Sequence, residues 1–133
     1  MSYVEITAKL KDAANGLYMP SESEHPFEPF VWSDVKETLT PEKMLELTGH
    51  PQNSPVETVN LPDLFKNLAY EQEWHDDKQK ENVGKYKNLL ETIENNLRNV
   101  QVYRIGKRAI DVYIVGKTEE GSLAGVATKV VET

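Results

Sequence analysis

Carboxylates are the first chemistry this sequence offers. Within residues 21–28, Glu22, Glu24 and Glu28 gather with no lysine or arginine among them, and Pro20 and Pro26 restrict the chain on which they sit. Un-neutralised carboxylates on a stiff loop can imitate a phosphate, whereas composition by itself favours a solvated turn. A second acidic group surrounds an aromatic: Trp74 stands among Glu71, Glu73, Asp76 and Asp77. Such a tryptophan is either an interface anchor for a basic protein or a side chain folded back onto the core, and spacing does not separate the two.

Other chemical groupings fail on geometry. Gly116-Lys117-Thr118 resembles the end of a phosphate-binding loop, but that loop needs glycine where Asp111 stands and must open a helix. Here it leads into Glu119-Glu120-Gly121, which would repel phosphate, so a plain turn is expected. His75-Asp76-Asp77 offers metal-ligand types, yet neighbours at a helix start do not converge, and capping accounts for them. His25, His50 and His75 fall in separate loops with no serine or cysteine nucleophile visibly paired to them. A small hydrolase built on Glu24, His25 and Asp111 remains a rival that the spacing does not demand.

These residues must be positioned by a β-rich final quarter. Runs at residues 100–105, 109–115 and 123–131 are joined by Gly106-Lys107-Arg108 and by a turn at residues 118–122, which predicts an antiparallel meander. In the second run Ile110, Val112 and Ile114 point one way while Tyr113 and Val115 point the other, so both faces are apolar apart from Asp111. A sheet covered on both sides follows, with helices in the outer layers. The last run continues to Thr133, so the α-carboxylate and hydroxyl of that residue are expected at a definite place.

Upstream segments read as cover for this sheet. Ser2 and Glu5 form a capping-box pattern before Tyr3, Ile6, Leu10, Ala13 and Leu17, whose helical spacing ends at Asn15-Gly16. Pro29 demotes residues 27–32 to an edge or irregular strand in which Phe30 and Trp32 share a face. Thr40-Pro41 opens a second helix through Met44, Leu45 and Leu47 to Gly49. Residues 56–59 read as a short strand, and Asn60-Leu61-Pro62-Asp63 opens a short helix carrying Leu64, Phe65, Leu68 and Ala69. The longest helix starts after Asp76 or Asp77 and repeats Val83, Tyr86, Leu90, Ile93 and Leu97.

Composition bounds the possibilities. A chain of 133 residues is expected to form one domain over residues 1–133, with no cysteine to support redox chemistry, thiolate catalysis or a cysteine zinc site. Its formal charge of -7 and sequence pI near 5.0 disfavour direct contact with nucleic acid or anionic membranes and suit a basic partner. Neither a signal peptide nor a membrane span is supported, so a cytoplasmic protein is expected.

Two stretches carry a resemblance. SESEHPFEPFVW at residues 21–32 and DVYIVGKTEEGSLAGVATKVVET at residues 111–133, extended by QVYRIG at residues 101–106, are similar to the nuclease A inhibitor family. Members of that family block a sugar-nonspecific, magnesium-dependent DNA/RNA endonuclease. The resemblance implies an α+β fold, a three-layer α/β/α sandwich with a central, largely antiparallel sheet. It implies a non-enzyme that plugs the nuclease's active site, monomeric alone and 1:1 in the complex.

By the same resemblance, Thr133 reaches the partner's catalytic metal and Glu24 stands in for the scissile phosphate. Glu73-Trp74 matches a second family contact in which a compared member has aspartate, one methylene shorter. Magnesium favours hard oxygen ligands and keeps water-filled positions, so an oxygen on a stiff strand can cap it. No cofactor of its own is implied; the Mg2+ belongs to the partner nuclease. The alternative from a different class is an acidic regulatory binding module of the same fold for another basic cytosolic protein.

Overall fold

The computed structural model describes residues 3–15, 17–19, 25–32, 40–64, 77–118 and 121–131. In chain order the elements are α1 (Tyr3–Ala14), β1 (Tyr18–Met19), β2 (His25–Pro26), β3 (Glu28–Trp32), α2 (Pro41–Thr48), β4 (Val56–Val59), α3 (Leu61–Leu64), α4 (Asp77–Asn96), β5 (Arg98–Ile105), β6 (Ala109–Lys117) and β7 (Leu123–Val131). A five-stranded sheet in the order β3-β7-β6-β5-β4 pairs every neighbour antiparallel, and β1 and β2 form a separate two-stranded ribbon. The fold is α+β.

Alternation along the long strands explains how one sheet serves two apolar clusters. Val102, Ile110, Val112, Ile114 and Val126 join Ile6 and Leu10 of α1 and Leu89 and Ile93 of α4 in the larger one. Tyr103, Ile105, Val115 and Leu123 take the alternate positions and meet Met44 and Leu45 of α2. A period of two sends these sets to opposite faces, which is why β6 carries almost no polar residue. Leu89, fully buried in α4, extends the apolar stripe that the steps of three and four describe.

Pro29 sits in β3 at one edge of the sheet, opposite Val126, where its missing N–H costs no ladder bond on the open side. Phe30 and Trp32 do share a face, with ring centroids 4.5 Å apart. The short β4 closes the other edge. Phe65, Leu68 and Ala69, expected on the short helix, lie outside the described residues, as do Ser2 and Gly16.

Three local readings are amended. His25, expected in a loop, lies in the two-residue strand β2 and pairs with Met19. Gly116 and Lys117 close β6 rather than forming a turn, and only Thr118 begins the connection to β7. A Cβ on Gly116 would lie 2.8 Å from Val100 Cγ2 and 2.9 Å from Leu97 Cβ, so close packing explains this glycine. The strand before it starts earlier than its apolar run, at Arg98, because the pairing register shifts between Arg98 and Gln101. Asn99, at φ 53, accommodates that irregularity, as asparagine does more readily than other side chains.

Helix α2 is bounded as its punctuation dictates. Thr40 is extended (φ -126, ψ 163) and its hydroxyl accepts from Lys43 N at 3.1 Å, with Pro41 at the first helical position. Gly49 at φ 75 reverses the chain, so its N–H reaches Glu46 O and that of His50 reaches Leu45 O at 2.9 Å. Replacing Thr40 with alanine is expected to lower unfolding free energy by about 1 kcal/mol. A urea titration checks this, and an unchanged midpoint would mean the cap contributes nothing.

Candidate partner-binding site

Glu24, Glu73, Trp74 and Thr133 all lie outside the described residues; so do Glu22, Glu71, His75 and Asp76. The described segments that flank two of them meet. His25, the residue after Glu24, pairs with Met19 in the β1–β2 ribbon, and its carbonyl accepts a hydrogen bond of 3.2 Å from Thr128 Oγ1 of β7. Thr128 is nearly buried, so this bond is sheltered from water. Strand β7 then runs on to Val131, opposite Ala109. The base of the acidic loop and the strand leading toward Thr133 are therefore joined. Lys129, Val130 and Val131 are half-buried, so the strand leaves the core as it approaches its end.

Beside this junction lies a polar cluster built from three elements. The reversal at Gly49 brings His50 over the sheet, where its Nε2 is 2.8 Å from Asp111 Oδ2 of β6. Lys129, directly opposite Asp111 in the β6–β7 register, places Nζ 3.7 Å from Oδ1. His50 Nδ1 meets Thr48 Oγ1 at 2.5 Å, and that hydroxyl donates to Met44 O at 2.7 Å. The His50 ring stands edge-on to Tyr113, with centroids 6.3 Å apart. Tyr113 in turn packs against Phe30 and Trp32. A hollow of about 250 Å3 bordered by His25, Glu28, Asp111, Tyr113, Thr128 and Lys129 opens next to the cluster.

This arrangement changes the role expected for the histidines. His50 engages Asp111, while His25 contributes its backbone carbonyl to Thr128; of the grouping Glu24, His25 and Asp111, the last two border the same hollow and Glu24 lies outside the described residues. Asp111 was the one visible signal: a single charge within the apolar run of β6 requires a partner, and the sequence contained no indication of which. Among the described residues no group of three or more histidine, aspartate or glutamate side chains converges as a metal site.

Burial pushes the Tyr103 phenol above its ordinary value of 10.0. Tyr113 is also raised, first by burial and then by the Asp111 carboxylate, with the Thr48 hydroxyl partly opposing. A phenol raised in the folded state lends stability that is complete below its unfolded value, about 10, and lost as pH rises through the folded value. Urea midpoints should therefore fall once pH exceeds about 10, and less steeply when both tyrosines are phenylalanine. Identical alkaline profiles would overturn this assignment.

No helix among the described residues is long and apolar enough to cross a membrane. No curated protein matches the sequence. The family model for nuclease A inhibitor-like protein matches residues 4–133. Because that match runs from the first turn of α1 through the sheet to the last residue of the sequence, the chain belongs to the nuclease A inhibitor-like family.

Proposed function

We propose that this protein inhibits a magnesium-dependent, sugar-nonspecific endonuclease by occupying its active-site groove. The family match over residues 4–133 carries the reading. Glu24 supplies the negative charge that the nuclease holds on a scissile phosphate, with no ester bond to break, and Thr133 offers oxygen to the catalytic Mg2+. Glu73-Trp74 adds a side contact. The protein itself performs no turnover and binds one nuclease per monomer in the cytoplasm. Its whole chain forms the family's α/β/α sandwich, with β5, β6 and β7 as the terminal meander.

The anchoring of His25 on Thr128 supports this reading, because the residue that follows Glu24 is then tied to the strand that leads toward Thr133. The net charge of -7 supports it too, since a groove that attracts polyanions attracts this surface. Association should slow as salt rises. Plasmid digestion by the host's sugar-nonspecific endonuclease, followed with increasing amounts of the purified protein, tests the proposal. Digestion that stops near one equivalent supports it. Undiminished digestion at excess overturns it and turns attention to a different basic partner, as a regulatory module would have.

A further inference from the structure

The polar cluster at His50 obeys a proton count. Its three contacts, Thr48 Oγ1 to Met44 O, His50 Nδ1 to Thr48 Oγ1 and His50 Nε2 to Asp111 Oδ2, each need one hydrogen between the atoms. A carbonyl and an ionised carboxylate only accept, so Thr48 and His50 must supply all three hydrogens. The threonine hydroxyl has one. Imidazolium has two and neutral imidazole one, so all three contacts hold together only when His50 is doubly protonated. With one proton fewer, one contact must be given up.

The contacts span the structure in a useful direction. Thr48 is the last residue of α2 and His50 follows its Gly49 cap, Asp111 is in β6, and Asp111 is the register partner of Lys129 near the end of β7. The Lys129 bridge is long, at 3.7 Å, with a lysine side chain 44% exposed, so it contributes little alone. His50 and Asp111 are closer and better sheltered, with side chains 19% and 32% exposed, and dominate the tie. The groups facing this site are Asp111 and Tyr113 from β6 and Lys129 from β7, with His25 and Glu28 across the adjoining hollow.

The geometry points to His50 and Asp111 as positioning residues that, while His50 holds both protons, tie α2 to the β6–β7 pair and steady the strand leading to Thr133. This deepens the inhibitor reading and rests on it for its consequence, that inhibition weakens as His50 loses a proton. The tie itself stands apart from that reading.

The experiment has two arms, both on the full chain. Amide exchange at Val130 and Val131, corrected for intrinsic rates, is measured at about pH 6 and pH 8 in the wild type, His50→Gln and Thr48→Val. Thr48→Val removes two contacts and one proton, leaving a single contact that neutral imidazole can serve. The wild type is expected to lose protection by roughly threefold to tenfold at the higher pH, and both variants to lose the pH dependence. Equal pH profiles in wild type and His50→Gln would overturn the tie.

In the second arm, inhibition constants against the host's sugar-nonspecific endonuclease are taken as the ratio of His50→Gln to wild type at each pH, which cancels the nuclease's own titrations. A ratio of roughly threefold to tenfold at about pH 6 that approaches one at pH 8 supports the inference. A ratio flat with pH, alongside the expected exchange, overturns the link to inhibition. Absence of inhibition by the wild type at either pH defeats the functional reading and the link with it, while the exchange arm still decides the tie.

Discussion

A chain lacking Thr133 should inhibit the endonuclease about thirtyfold to a thousandfold less well than the full chain, the range expected when a central interface anchor is removed. The proposed contact is with a metal ion, where an oxygen ligand replaces bound water rather than packing against a side chain. Loss should appear mainly in dissociation, because the steering charge of the surface is almost unchanged. Glu24→Gln keeps the shape of its side chain and removes the charge, so a comparable loss there would identify charge as the feature the nuclease recognises. Since both residues are proposed to act in one active site, their combined effect should fall short of the sum. Inhibition that survives deletion of Thr133 would rule out capping of the metal.

Gly125→Ala should destabilise the fold by about 4 kcal/mol or more, enough to leave much of the chain unfolded. Gly125 lies in β7 between Phe30 of β3 and Val115 of β6, in the interior of the sheet. A Cβ there would overlap the carbonyl oxygen of Ile114 and approach its carbonyl carbon to 2.8 Å. Those atoms are backbone and cannot rotate aside, so the β6–β7 pairing itself would have to open. Gly84→Ala is the matching control. Nothing lies within 4 Å of its added methyl group, and in the middle of α4 alanine should stabilise by up to about 1 kcal/mol. Urea titrations of the two variants measure the contrast, and a Gly125 variant as stable as the wild type would refute the packing argument.

Local chemistry was legible from the amino acids alone wherever a residue acts through its own backbone. Thr40, Pro41 and Gly49 bound α2 because capping and φ preference operate within a single turn, and Pro29 sits at an edge because it lacks a donor. The two apolar faces of β6 followed from alternation, which needs no knowledge of the partner strands. Gly116 resisted such a reading, since its cause is the approach of Leu97 and Val100, residues of another part of the chain.

The candidate contacts with a nuclease came from likeness to a family, whereas spacing and composition left Glu24 as an acidic loop residue and Trp74 with two readings. The chain by itself determined the longer helices and strands, the caps of α2 and the two-faced character of the sheet, because those depend on neighbours in sequence, whereas the β1–β2 ribbon arose where the sequence read as loop. Tertiary structure alone decided the order β3-β7-β6-β5-β4, the seating of His25 on Thr128 and the pairing of His50 with Asp111, 61 positions away. Which distant groups meet depends on how whole faces pack, and a lone charge within an apolar run specifies that it needs a partner without specifying which one.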